Sequence, residues 1–313
     1  MTAIKTEGLT KRYGRITALD GLDLEVPDNV IFGFLGPNGA GKTTTVKMLT
    51  GFARPTSGKA RVAGEDVGSG NLALQAKTGL LPDVPAFYNW MRGREFLHYV
   101  GELHRLPREE ITTRADELLE RVDLKGAANR KIGGYSRGMR QRLGIAQALI
   151  NRPQVLFMDE PTSALDPIGR REVLELILNL RESATIFMST HILSDVERVC
   201  DMVGIINKGK LLAVSSMEEL KKKYTRSTFE IEFIEDAGAF AQSLKQVPWL
   251  TDAETVAENG IPILRVNAMD IDTARKELPR LIAESGLTLT RYELSPPDIE
   301  DIFVEILESG DKP

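Results

Sequence analysis

The sequence predicts an α/β protein with a helical insertion and a second, smaller α+β domain. Three features predict it. As far as Ile206, apolar strand-like runs alternate with helix-like stretches, the order of a parallel sheet covered on both faces. Between residues 84 and 150 that rhythm breaks into helices with no strand between them. After the lysine run Lys221-Lys222-Lys223 the pattern restarts in shorter alternating segments and the charge balance inverts.

In chain order, Val30 to Leu35 is a near-continuous apolar run, as in a buried strand, and Gly41 to Leu49 follows as a helix. Thr78 to Leu81 is a further strand. Arg94 to Leu103, Arg108 to Val122 and Arg140 to Ile150 read as the three inserted helices. Val155 to Met158 is a buried strand, Ile168 to Leu180 a helix, Ala184 to Met188 a strand, Ile192 to Val199 a helix, and Met202 to Ile206 closes the series. Met217 to Tyr224 is a terminal helix running into a linker. Thr228 to Phe233 then alternates as a half-buried strand. Phe240 to Val247 reads as a helix, Ile261 to Val266 as a strand, Ile271 to Glu284 as a helix and Leu287 to Leu294 as a strand. Ser295-Pro296-Pro297-Asp298 opens a last helix to Leu307, with a cap residue, Pro in the first turn and an acid at the positive end. That order fits a ferredoxin-like α+β domain. The expected division is 1–216 for the large domain, 217–227 for a linker and 228–313 for the accessory domain.

The 313 residues suffice for two domains with real cores. Hydrophobic residues at 42% and charged residues at 27% exclude a disordered or fibrous chain. The single cysteine, Cys200, excludes an internal disulfide framework or a thiolate metal cluster and fits a reducing compartment. Asn29 to Gly41 is the longest stretch without a charge, shorter than the roughly 18 apolar residues of a membrane span. Met1 to Glu7 holds no signal-peptide core. The expectation is a chain that stays in the cytoplasm. The net charge of −5 hides a split: Thr225 to Pro313 carries 8 basic and 18 acidic residues, net −10, so the rest is net +5. The positive portion suits an anionic ligand. Neither portion has the dense Lys/Arg run of a nucleic-acid binder.

Gly36-Pro37-Asn38-Gly39-Ala40-Gly41-Lys42-Thr43 fits the phosphate-binding pattern G-x-x-x-x-G-K-[ST], between an apolar strand and a helix. Glycines let backbone N–H groups converge on phosphate oxygens, and the helix N-terminus adds positive potential. Lys42 can reach the β- and γ-phosphates and Thr43 can ligate Mg²⁺. The alternative, a chance Gly-rich turn, leaves that context unexplained. Val155 to Met158 delivers Asp159 and Glu160 at a strand end. Beside a phosphate loop, Asp159 would hold Mg²⁺ and Glu160 would polarise an attacking water; the alternative is an acid pair capping the next turn. Ser136, in Tyr135-Ser136-Arg137-Gly138-Met139-Arg140-Gln141-Arg142, opens a helix and forms a second anion site with its free N–H groups. Ser163-Ala164-Leu165-Asp166 and a lone His191 follow.

This ordered set closely resembles the ATP-binding-cassette (ABC) ATPases, a branch of the P-loop NTPases. The resemblance implies ATP and Mg²⁺ as cofactors and two such domains paired head to tail, as a homodimer or with another nucleotide-binding subunit. It implies that Tyr13 stacks on adenine and that Gly36, Asn38, Gly39, Ala40, Gly41, Lys42, Thr43 and Thr44 wrap the phosphates. Ser136 and Gly138 would reach the γ-phosphate of the partner's ATP. Asp166 would couple the two sites, and His191 would bridge γ-phosphate and attacking water. The plainer readings are a surface aromatic for Tyr13 and a helix-capping residue for His191. His98 and His104 lack partner spacing and read as surface residues.

Two positions depart from the family pattern. The usual signature Leu-Ser-Gly-Gly-Gln is here Tyr135 to Met139, and the usual Gln after the strand Thr78 to Leu81 is Asp83. Asp83 is shorter and, ionised, accepts but cannot donate hydrogen bonds; it could reach Mg²⁺ through water, with weaker coupling at that loop. Phe87, Tyr88 and Trp90 cluster next in the chain. By the resemblance they form part of the groove that docks a membrane subunit; core packing is the alternative. The expected function is the ATP-hydrolysing subunit of an ABC transporter, on the inner face of the membrane and driving a separate transmembrane permease. The tail from Ser295 to Phe303 resembles bacterial drug-export ATPases and favours export. Other classes are a soluble ABC ATPase in translation or DNA repair, a P-loop metabolite kinase and an ATP-dependent regulator.

Overall fold

The computed structural model describes residues 2–68, 70–163, 165–223, 227–258, 261–295 and 299–310. The chain packs as two units, one extending to Met217 and including the helix end from Ile306, the other spanning Glu218–Glu305.

The first unit opens with a long hairpin, β1 (Thr2–Tyr13) and β2 (Ile16–Pro27). Then come β3 (Ile31–Leu35), α1 (Lys42–Leu49), β4 (Ser57–Val62), β5 (Glu65–Asp66), α2 (Leu72–Lys77) and β6 (Thr78–Leu81). The inserted helices are α3 (Gly93–Leu103), α4 (Arg108–Arg121) and α5 (Arg137–Ala148). β7 (Val155–Asp159), α6 (Pro167–Leu180), β8 (Thr185–Thr190), α7 (Leu193–Val199), β9 (Met202–Asn207) and β10 (Lys210–Ser216) complete the unit.

The main sheet runs β10-β9-β3-β8-β7-β6, parallel except for the β9–β10 hairpin. β3, β7 and β8 are buried at every residue, which is why most of their length reads as apolar runs, with the polar Asp159, Ser189 and Thr190 at their C-terminal ends. Phe187 packs against Phe32, Phe34 and Phe157 with ring centroids 5.3–5.6 Å away. A second sheet, β2-β1-β4-β5, is antiparallel. Its Ile4, Leu9, Leu22 and Val26 join Phe32, Phe157 and Phe187 in one core.

That second sheet is absent from the sequence-based expectation, which held a single parallel sheet. Register shifts at Thr6/Leu9 and Leu9/Lys11 interrupt the alternation in β1, whereas Leu22, Leu24 and Val26 of β2 alternate cleanly with exposed neighbours, a strand signal that the expectation left unused. α5 also begins earlier than the predicted Arg140, because the Ser136 hydroxyl accepts from the Met139 amide at 3.2 Å and caps the helix there.

α8 (Met217–Lys223) begins at the division. The second unit continues with β11 (Ser227–Phe233), α9 (Gly238–Leu244), β12 (Leu250–Glu258), β13 (Ile261–Ala268), α10 (Ile271–Ser285), β14 (Leu289–Ser295) and the part of α11 (Ile299–Gly310) that precedes Ile306. Its antiparallel order β12-β13-β11-β14 is the ferredoxin-like βαββαβ arrangement. Phe229, Ile231, Leu264, Val266, Leu278 and Ile282 lie in its core. β12 is the strand that sequence reading missed. It is an edge strand whose buried residues include Leu250 and Ala253, amid Thr, Asp and Glu. The linker residues 224–226, Ala164 and the predicted helix start at 296–298 lie outside the described residues.

Candidate nucleotide-binding and hydrolytic site

β3 ends at Leu35, the chain turns through Gly36–Gly41, and α1 begins at Lys42. Two glycines are required by space. A Cβ on Gly36 would stand 2.3 Å from the Ile206 carbonyl oxygen, and one on Gly41, at φ 110°, would stand 2.5 Å from that of Ala18. Gly41 caps α1 without a side-chain hydrogen bond, so the first-turn N–H groups point into the loop as anion donors. Pro37, Asn38, Gly39 and Thr43 are exposed, Gly41 and Thr44 half-buried, and Ala40 is buried beneath them. Lys42 is only 6% exposed. Its Nζ donates to the carbonyls of Gly36 at 2.7 Å and Pro37 at 3.3 Å, which folds the side chain back over the loop.

The carboxylates arrive from β7. The parallel register sets Asp159 opposite Ser189 of β8. Asp159 Oδ1 accepts from the Ser189 hydroxyl and from Thr43 Oγ1 at 3.2 Å. Glu160 follows in a left-handed conformation at φ 49°, which costs a non-glycine residue about 1–2 kcal/mol. Its amide still donates to the Ser189 carbonyl at 2.9 Å. That kink directs the carboxylate between two cations or donors: Oε1 lies 3.4 Å from Lys42 Nζ and Oε2 lies 2.8 Å from His191 Nδ1. Phosphate loop, both acids and His191 thus converge, although 31 residues separate Glu160 from His191. Thr43 and Asp159 offer hard oxygen donors side by side, a set that suits Mg²⁺ completed by phosphate oxygens and water.

The remaining predicted residues fall around this centre. Tyr13, at the end of β1, is half-exposed, with Lys11 Nζ 4.9 Å from its ring centroid. Asp83 is exposed and its Oδ1 accepts from Ser163 Oγ at 3.3 Å. Asp166 caps α6 by accepting from the Gly169 amide at 2.8 Å. Ser136, Gly138 and Asp166 line one cleft of about 470 Å³, within the range of a ligand-sized site. Tyr135, in place of the family's Leu, donates from its hydroxyl to the Ala127 carbonyl at 2.8 Å, and burial pushes its phenol up from the ordinary value. Phe87 is half-buried in an edge-to-face contact with Phe96, whereas Tyr88 and Trp90 are exposed, Trp90 at 69%.

Sequence reading missed Ser189, Gln141, Thr162 and Asp195, all buried polar residues around the Asp159–Glu160 turn. Gln141 lies in the signature segment, but only sheet register and helix packing show what it touches. Among the described residues no helix is long and apolar enough to cross a membrane.

Residues 19–163 match the family described as ABC transporter, and residues 216–307 match the C-terminal domain of DrrA1-3-like ATP-binding proteins. The uncharacterized ABC transporter ATP-binding protein YxlF of Bacillus subtilis is 37% identical, over 98% of this chain and 100% of its own length. The bacitracin transport ATP-binding protein BcrA of Bacillus licheniformis is also 37% identical, over 99% of this chain and 98% of its own. The daunorubicin resistance ATP-binding protein DrrA3 of Streptomyces coeruleorubidus is 35% identical, over 97% and 96%. Among solved structures, an ATP-binding subunit of an ABC transporter superposes with a TM-score of 0.64 at 26% identity, covering 71% of this chain and 93% of that one.

Proposed function

The chain belongs to the ABC transporter ATP-binding proteins, and from that premise we propose that it hydrolyses ATP at the Lys42–Glu160–His191 centre to drive export through a separate membrane subunit. The observation that carries this reading is the placement of the Glu160 carboxylate between Lys42 Nζ and His191 Nδ1, beside the phosphate loop.

In this mechanism Tyr13 stacks on adenine. The amides of Gly36 and of Asn38 through Thr44 bind the phosphates, and Lys42 neutralises charge on the β- and γ-phosphates. Thr43 and Asp159 would hold Mg²⁺, with Asp83 near it through water. The ion supplies charge neutralisation on the transferred phosphoryl group. Glu160 takes the proton of the attacking water, and His191 orients that water and the carboxylate. Ser136 and Gly138 complete the site of a second copy, or of a paired subunit, in a head-to-tail dimer, and Asp166 couples the two sites across it. Residues 1–216 form the nucleotide-binding domain, 217–227 the linker and 228–313 an accessory domain. The working location is the cytoplasmic face of the membrane, where Tyr88 and Trp90 dock the permease.

The names of BcrA and DrrA3 support export of antibiotic-like cargo, because the likeness runs through the C-terminal domain as well as the cassette. Glu160→Gln tests the centre. ATP binding should persist while steady-state turnover drops on the order of 10² or more. Turnover at the parental rate would remove Glu160 as the base.

A further inference from the structure

The turn from Glu160 to Ser163 follows β7, and side chains from three other elements converge on it. Gln141, on α5 and 7% exposed, donates from Nε2 to the Pro161 carbonyl at 2.8 Å. The hydroxyl of Thr162, 2% exposed, bonds to Oδ2 of Asp195 on α7. Asp195 is 0% exposed, and its Oδ1 accepts from Arg170 Nε on α6 at 2.6 Å. Arg170 also reaches Ser194 Oγ at 2.6 Å.

These groups are a poor way to gain stability. A buried carboxylate, even paired, recovers little beyond its desolvation cost, and an apolar packing would serve as well. They surround a turn whose first residue sits at φ 49°, a conformation that persists only where its surroundings over-determine it. Position adds meaning. Gln141 stands five residues after Ser136 on the same helix, about 7.5 Å along its axis. Asp195 stands four residues after His191.

We propose that Gln141 and the Thr162–Asp195 pair are positioning residues that hold the Glu160 turn in its reactive geometry. Through Gln141 the placement of α5 sets the hydrolytic competence of Glu160 in the same chain. The proposal rests on Glu160 being the base. Its consequence is a route between sites: a phosphate contact at Ser136 and Gly138, the front of α5, reaches the base of this chain's own site through one helix and one hydrogen bond.

The test compares Gln141→Met, which keeps the volume, Thr162→Val, which keeps the shape, and Thr162→Ser, which keeps the hydroxyl, in the full-length protein. Each is measured for ATP turnover, ATP affinity and thermal midpoint. The expected result is a kcat reduced about tenfold in Gln141→Met and Thr162→Val, with ATP affinity within about twofold, and recovery in Thr162→Ser. Adding Gln141→Met to Glu160→Gln should lower residual turnover no further, since Gln141 acts through Glu160. Unchanged kcat in both single variants, parallel losses of affinity and thermal midpoint, or a multiplicative loss in the double variant would each overturn the positioning role. Parental turnover in Glu160→Gln alone would instead overturn the assignment of the base on which the proposal stands.

Discussion

Lys42 shows how little of a residue's work its neighbours in sequence explain. Its identity follows from the loop pattern, but its ammonium reaches two loop carbonyls and the Glu160 carboxylate only after β3 and β7 enter one sheet. In the proposed mechanism Lys42 makes a charge-assisted contact to phosphate, so Lys42→Ala should weaken ATP affinity about 10–100-fold, read by equilibrium titration. Asp83 is exposed and tied to Ser163 Oγ at 3.3 Å. Restoring the amide with Asp83→Gln should change the ratio of transport to ATP hydrolysis. Identical hydrolysis and transport in that variant would show that the carboxylate has no effect on coupling. Cys200 belongs at this scale too. It is buried, and burial pushes its thiol far above the ordinary range, so the thiolate is scarce at neutral pH. Maleimide labelling of Cys200 should be slow in the native protein and fast after denaturation.

The elements differ in how openly they announce themselves. β3, β7 and β8 were legible because strands buried on both faces carry near-continuous apolar runs, here Ile31 to Leu35, Val155 to Met158 and Ile186 to Met188. β1 was not, because bulges break its parity, and β12 was not, because an edge strand tolerates Thr, Asp and Glu; β2 does alternate from Leu22 to Val26 and was legible there, although the expectation left it out. Helix starts depend on caps. Ser136 begins α5 and Asp166 begins α6, so the same side chains that mark these ends also line the shared cleft. Asp270 caps α10, and hydrogen bonds from the Thr273 hydroxyl, its amide and the Asp272 amide hold the carboxyl below its usual range. A pKa depressed by folding adds stability above the unfolded-state value and loses it as pH falls through the folded-state value. Asp270→Ala should therefore lower the thermal midpoint at neutral pH, and the gap from the parent should close on acidification, followed by circular dichroism.

At the scale of the molecule, the chain is an ABC transporter ATP-binding protein, and the proposed function gives it a separate membrane subunit as partner. Tyr88 and Trp90 present exposed aromatic surface on the helical insertion while Phe87 turns inward against Phe96. Trp90→Glu should leave ATPase activity intact and reduce recovery of the protein with membranes that carry the permease; unchanged recovery would move the docking surface elsewhere. The charge split is a property of the same scale. The acidic segment carries net −10, and a charge of that sign is repelled by anionic lipid. The sequence by itself determined the fold class, the phosphate loop, the acid pair and the signature segment, because each is a local pattern of residue types over a few positions. Only the tertiary structure decided that Ser189 supports Asp159, that His191 meets Glu160, and that Gln141 and Asp195 grip the turn between them. Those contacts join residues up to 33 positions apart in the chain. They depend on strand register and helix packing, which no short stretch of sequence encodes.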